Sequence, residues 1–357
     1  MNLSTKVDQR EQRLDAIREE AEANGIIGST GIRAANSPMP VASPETGYYG
    51  QPLLKEPQWT PLIPVYFFVG GATGALGVIG ALADLFGSDY ALARKARWMA
   101  LAGTGLSTVL LVADLGRPSR FLNMLRVIKP QSPMSVGSWV LTGFGASAAA
   151  SSLADLFERE NGANGLVSIL RAAGRTGCVL FAMPFHNYTG VLIGASVIPV
   201  WNNRIRSLPR EFGMSGLQTA VSLLELSGEM ENPALNAIGI VSAASESWEG
   251  LDLLRTHARE LRPAKRGFSG LLVQLAGALS GPVPLALRLA SLFIHGNRKL
   301  RRLAVLSGIA GGLLMRYAWV HAGISSSRDW KIPLGVDENS RRLHAGSSEK
   351  ENQVQAH

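Results

Sequence analysis

Eight long runs dominated by small and aliphatic residues, set apart by connectors rich in arginine and lysine, leave this 357-residue chain few folds to choose from. A run of roughly 20 apolar residues crosses the hydrocarbon core of a bilayer as a helix. Inside that core only a helix or a closed barrel satisfies its own backbone polar groups. The runs cover about residues 61–86, 98–113, 136–157, 173–201, 213–228, 235–254, 267–294 and 303–324. They predict an all-α integral membrane protein, a polytopic bundle of about eight transmembrane helices. Runs five and six carry Glu225, Glu246 and Glu249, so tilt or pairing is needed for them to cross.

This transmembrane domain, residues 59–325, lies between two polar tails. Residues 1–58 read as a soluble, largely flexible tail with a charged helical stretch at Glu11–Ala23 and a Gly/Ser/Pro-rich linker. Residues 326–357 form a polar C-terminal tail. The N-terminus lacks the charged start, short apolar region and small-residue cleavage site of a secretory signal. An even number of spans puts both tails on one side of the membrane. Basic connectors on both faces leave that side open, and the long signal-free tail favours the cytoplasm.

Within the runs, glycines and prolines set local expectations. Gly70, Gly71, Gly74 and Gly77 give the first span a small-residue face for a neighbouring helix. Pro184 suits a kink in the fourth span, and GPVP at Gly281–Pro284 should break or bend the seventh. The net charge of +8 resides beside apolar runs, which points to lipid headgroups and a docked partner subunit and away from nucleic acid. The single cysteine, Cys178, excludes an intrachain disulfide and a cysteine-ligated iron–sulfur cluster within the chain.

No Ser–His–acid pattern and no GxxxxGK[ST] phosphate loop occurs. A b-type haem needs two facing axial ligands, and only His186 and His321 lie near spans, with nothing marking them as facing. Ionisable residues within spans are expensive and face the bundle interior or mark a proton path. Asp114, Glu225, Glu246, Glu249 and Arg316 qualify, and a second reading has Arg316 paired with a glutamate to join two helices. Asp84 and Asp155, near span ends, read as solvated at the interface. In PFHNYTG, His186, Asn187 and Tyr188 offer three neutral hydrogen-bonding side chains beside Pro184. They suit either a quinone headgroup, whose two carbonyl oxygens need donors in an apolar pocket, or polar contact between helices.

The connector Ala113–Trp139, ADLGRPSRFLNMLRVIKPQSPMSVGSW, carries Asp114, Arg117, Arg120, Arg126 and Lys129. Pro118 should start a short amphipathic helix with Phe121, Leu122, Leu125 and Ile128 on one side, and Pro130 and Pro133 should stop it. By itself this is also an ordinary basic connector at a membrane face.

DLGRPSRF followed by KPQSPMSVGSW resembles the NrfD family, the quinol-interacting membrane subunits of polysulfide reductase and related respiratory complexes. The likeness continues at YTGVLIGASVIPVW (Tyr188–Trp201) and RYAWVHAGISSSRDW (Arg316–Trp330), and so covers Pro61 to Trp330. It implies that Tyr188, in a Tyr-x-Gly setting, contacts a quinone headgroup. The family's polar residues at the start of the first helix fall here at Pro61 and Val65. Tyr66, Thr60 or His186 would then take their place, giving a quinone site of Tyr188, His186, Asn187 and Tyr66.

The resemblance further implies that Arg117, Arg120, Arg126 and Lys129 face a ferredoxin-like iron–sulfur subunit. A menaquinol or ubiquinol, as exchangeable substrate, would pass two electrons to that subunit. Its protons would leave through carboxylates such as Asp114, Glu225 or Glu246. The catalytic centre, a molybdenum enzyme, would belong to another subunit, and this chain would hold no haem or iron–sulfur cluster of its own. It would lie in the inner (cytoplasmic) membrane. The alternative is a structural anchor that touches no quinone; a transporter would instead predict inverted repeats with paired broken helices, and only GPVP fits.

Overall fold

The computed structural model describes residues 54–329 apart from Ser88, Ala163, His295 and Gly296. In the tails it describes Ala16, residues 27–28 and 31–32, and Ile332; the side chains of Arg120, Arg159 and Asn161 also lie outside the description. The expected helix at Glu11–Ala23 lies outside the described residues except for Ala16, which is helical. In the same tail Ile27–Gly28 pairs antiparallel with Gly31–Ile32. The chain divides into two compact units, residues 57–326 and, separately, residues 1–56 with 327–357.

The larger unit is all helical. Its main helices are α1 (Leu62–Leu85), α2 (Tyr90–Asp114), α3 (Pro133–Asn161), α4 (Gly165–Gly194), α5 (Leu208–Leu224), α6 (Pro233–Arg255), α7 (Gly267–Ser280) and α8 (Pro282–Phe293). The last, α9 (Arg298–Arg328), runs on into the smaller unit. Six stretches among the described residues are long and apolar enough to cross a membrane: α1, α2, residues 133–158 of α3, α4, α7 with α8, and α9. α5 and α6 occupy the fifth and sixth runs, the two that carry buried glutamates. Many large hydrophobic side chains elsewhere point outward, among them Val109, Leu166, Leu180 and Phe293, as lipid-facing helices require.

Capping side chains mark the starts of α2, α3, α4 and α6. Asp89 accepts a hydrogen bond from the Leu92 amide (3.0 Å), and Asn164 one from the Val167 amide (2.9 Å), each satisfying a free N–H of the first turn. α1 is the hub, packing on α2, α4 and α5. Its small-residue face does what the sequence expects. A Cβ on Gly74 would lie 2.6 Å from the His186 amide nitrogen, and one on Gly216 2.8 Å from the Gly71 carbonyl carbon, so backbones of α1, α4 and α5 touch there. The GPVP break is sharp: Gly281, between α7 and α8, has φ −104° and ψ −95°.

Several expectations need correction. α2 begins at Tyr90, so Arg94, Lys95 and Arg97 belong to its first turns and not to a connector. α4 starts at Gly165 and ends at Gly194, with a separate turn at Pro199–Asn202, because the Pro199 ring follows an extended Ile198. Arg298, Lys299, Arg301 and Arg302 likewise open α9. After Pro118 there is only a turn of 3-10 helix and the four-residue helix Phe121–Met124. It stops before either proline is reached, and Pro133 instead opens α3.

The ion pairs also depart from the expectation of interfacial solvation. Asp155 is buried, and Arg97 reaches it at 2.9 Å and Asp84 at 3.2 Å, with Arg171 3.6 Å from Asp155. Arg97 is an internal cation that ties α1, α2 and α3 together. Arg316 pairs with no glutamate among the described residues. Its guanidinium donates to the Phe212 carbonyl (2.8 Å) and lies over the Phe212 ring at 4.1 Å.

Candidate functional site

The start of α1, the end of α2, α3 and α4 enclose a cavity beneath the Ala113–Trp139 connector. Its lining includes Trp59, Tyr66, Asp114, Met124, Met134, Gly137 and Tyr188, and its volume is about 90 Å³. Tyr66 and Tyr188 are both buried, and neither hydroxyl has a hydrogen bond to another described residue. Tyr188 can lie against α3 only because residue 137 is glycine. A Cβ there would fall 1.9 Å from the Tyr188 Cζ and 2.2 Å from its hydroxyl.

Asp114 closes one end of the cavity. Its Oδ1 accepts from the Thr60 hydroxyl (2.5 Å) and the Thr60 amide (3.2 Å), at the N-terminus of α1. A carboxylate there meets the unsatisfied amides and the positive end of the helix dipole. Trp59, on the opposite wall, stacks on Trp201 with ring centroids 5.3 Å apart. The Trp201 Nε1 donates to the Trp319 carbonyl (2.8 Å), and the Trp319 Nε1 donates to Glu211 (2.6 Å). The motifs Tyr188–Trp201 and Arg316–Trp330 are therefore in contact through two tryptophans.

The structure separates residues that stand together in PFHNYTG. Successive helix positions turn by about 100°, so three consecutive side chains cannot share one pocket. Tyr188 alone lines the cavity. The His186 Nδ1 is 3.0 Å from the Gly71 carbonyl, and the Asn187 Nδ2 donates to the Met183 carbonyl (3.1 Å). Tyr66 joins Tyr188 from α1. Pro61 begins the same segment of chain, and its carbonyl accepts from the Tyr317 hydroxyl (3.0 Å). His321 lies apart from His186, with its Nδ1 2.9 Å from the Ser269 hydroxyl.

The three carboxylates of the expected proton path occupy three places. Asp114 lines the cavity. Glu225 is buried at the end of α5, holding Arg288 and Arg301. Glu246, on α6, accepts from the Ser280 hydroxyl (2.9 Å). The connector cations Arg117, Arg126 and Lys129 are exposed, and none forms an ion pair with a described residue. The Arg120 side chain lies outside the described residues.

Sequence reasoning passed over the residues that pair these acids. Arg288 is a lone charge inside the apolar run PLALRLASLF, and a charge so placed signals a buried partner. Arg204 joins Glu249 (3.1 Å) and Asp252 (2.6 Å) in the same way. Glu211 was equally legible, as an acid next to the apolar run that forms α5.

Comparison with known proteins agrees with this architecture. No curated protein matches the chain. Residues 54–227, which span α1 to α5 and every wall of the cavity, match the family described as "Polysulphide reductase, NrfD". The chain is a multi-pass membrane protein, and over residues 54–227 it is similar to the NrfD family of polysulphide reductase membrane subunits.

Proposed function

We propose that this chain is the quinone-interacting membrane subunit of a respiratory oxidoreductase complex, with the headgroup site between Tyr66 and Tyr188. The observation that carries the reading is the pair of buried tyrosines whose hydroxyls are uncommitted and line one cavity. Two phenols are suitable donors for the two oxygens of a quinone, and as acceptors they suit a quinol equally well.

The donor set fits; the volume fits only after a movement. About 90 Å³ is well below the roughly 300 Å³ at which small-molecule pockets begin. Met124 and Met134 form part of the wall, and methionine side chains are the most readily rearranged apolar ones. Their displacement enlarges the cavity while Gly137 continues to leave room for the Tyr188 ring.

When bound, the menaquinone or ubiquinone supplies two-electron chemistry that no side chain of this protein can. The protein's part is to orient the headgroup, exclude water and manage protons. Tyr66 and Tyr188 orient; Trp59, Phe67 and Leu192 keep the site apolar. Asp114 is the carboxylate at the cavity and takes the released proton toward the membrane face. Glu225 is clasped by two arginines and Glu246 lies in the other half of the bundle, so neither serves the first transfer. A ferredoxin-like iron–sulfur subunit docks on the connector above the cavity, where the cations of Arg117, Arg120, Arg126 and Lys129 attract an acidic surface. A molybdenum subunit completes the complex, and the chain anchors both to the inner (cytoplasmic) membrane with its two tails on one side.

The reading is tested with a short-chain quinol analogue, titrated against the purified chain in lipid nanodiscs by tryptophan quenching. Tyr188→Phe and Tyr66→Phe are each expected to weaken saturable binding by roughly two- to tenfold, the worth of one hydrogen bond. Unchanged affinity in both variants would leave the structural anchor as the better account.

A further inference from the structure

A second cavity among the described residues is larger than the one between the tyrosines. A cleft of about 420 Å³ opens between α6 and α7, with Met315 of α9 at its floor. Its mouth carries Leu251, Leu254, Gln274 and Pro282, all exposed on the outer face of the bundle. The volume falls within the range of about 300–1,000 Å³ typical of small-molecule sites.

Glu211 and Glu246 line this cleft and are 5% and 2% exposed. Each leaves one carboxyl oxygen without a hydrogen-bond partner among the described residues, Oε1 of Glu246 and Oε2 of Glu211, the latter with only the Arg204 guanidinium at 3.9 Å. Their other oxygens are occupied by Trp319 and Ser280. Buried polar atoms without partners are costly, and a fold retains them where something else supplies the bond.

The surrounding charges define what that is. Glu249, also in the wall, has both oxygens committed, one to Arg204 and one to Arg210 at 3.0 Å. Three carboxylates in one cleft disfavour an anion. Lys265 stands at the mouth, its ammonium donating to the carbonyls of Thr256 (2.6 Å) and Leu254 (3.0 Å), and disfavours an entering cation. What remains is a neutral donor with an apolar body, delivered from the lipid side. We infer that the cleft binds an uncharged, lipid-soluble molecule whose hydroxyl-bearing headgroup donates to Glu211 and Glu246 while its apolar body lies along Leu251, Leu254 and Val273. This site is separate from the tyrosine cavity and stands or falls independently of it.

The probe is radiolabelled 2-decylhydroquinone bound to the full chain in nanodiscs, with its dimethyl ether, which has no donor, and 1-dodecanol as competitors. Gly277 and Gly250 both line the cleft, and a Cβ on either meets no atom within 4 Å, so a larger side chain there fills the cavity and not a packed interface. Gly277→Phe is expected to remove one saturable component, weakening it at least tenfold, while Gly277→Ala retains it. Tyr188→Phe is expected to leave that component unchanged. Gly250→Phe repeats the test should Gly277→Phe fail to fold. The ether is expected to compete at least tenfold less well than the unlabelled diol. Competition by dodecanol assigns the site to aliphatic alcohols as well, and its failure to compete assigns it to the aromatic diol. Binding unaffected by both fillings, or an ether as effective as the diol, would overturn the inference and identify a water- or acyl-chain-filled cleft.

Discussion

Replacing Glu225 by alanine is expected to lower the stability of the bundle by about 3–5 kcal/mol, the cost of leaving a buried charge without its partner. Glu225 directly follows α5, and both of its oxygens are engaged by Arg288 of α8, at 2.9 and 2.7 Å. Arg301 of α9 adds a third contact at 2.6 Å, and Asn236 of α6 accepts from Arg288 at 3.2 Å. α8 and α9 therefore meet at the carboxylate that follows α5, and α6 joins them through Arg288. Arg288 is fully buried, and Gly239 leaves it space: a Cβ there would fall 2.4 Å from the Arg288 Cζ.

Without Glu225, two guanidiniums would face each other in an apolar interior with only Asn236 to receive them. Thermal unfolding in a mild detergent, followed by loss of helical circular dichroism, measures the effect. Glu225→Gln keeps the shape and some of the hydrogen bonds, and should fall between wild type and alanine. The double variant Glu225→Ala/Arg288→Ala should lose less than the sum of its parts, because the stranded charge goes with its partner. A Glu225→Ala protein as stable as wild type would show that the triad holds nothing together.

The second large effect is expected at Gly137. The Tyr188 ring occupies the space where any other residue at 137 would place its Cβ, so Gly137→Ala must push either the ring or α3 aside. Overpacking of this kind costs about 1–3 kcal/mol. More tellingly, it moves the hydroxyl on which the site depends. Saturable binding of a quinol analogue should weaken by tenfold or more, exceeding the loss from Tyr188→Phe, which removes one oxygen and leaves the ring in place. Gly105→Ala is the matched control, since a Cβ at Gly105 has nothing within 4 Å. Equal binding by Gly137→Ala and wild type would mean that Tyr188 does not orient the ligand.

How much of this was legible in the sequence depends on the length scale of the signal. The apolar runs and their connectors are long-range patterns and fixed the helical membrane fold, the breaks at Gly281 and the small-residue face of α1. Helix ends depart from the sequence expectation where charged residues enter the first two or so turns, as with Arg97 in α2 and Arg301 in α9. A run of hydropathy stops at a charge, whereas a helix continues through it when the charge has a buried partner. Asp155 and Glu225 supply those partners from elements 58 and 76 residues away, and such pairing leaves no local trace.

The site was legible in part for the same reason. Tyr188 stands in a recognisable motif, but its neighbours His186 and Asn187 were grouped with it by sequence proximity, and the helix turns them toward Gly71 and Met183. Tyr66 emerged only as a substitute for polar positions absent at Pro61 and Val65. Gly137, which makes room for the ring, and Trp59, which links the cavity to Trp201 and Trp319, are tertiary facts. A spacing argument cannot reach them.

The most direct test of the central claim is photolabelling of the full chain in nanodiscs with an azidoquinone, followed by peptide mapping with and without excess unlabelled quinol. A headgroup between Tyr66 and Tyr188 predicts competable adducts on the walls of that cavity, within residues 59–67, 111–138 and 188–192. Competable label confined to other segments, or no competable label at all, would contradict a quinone site there.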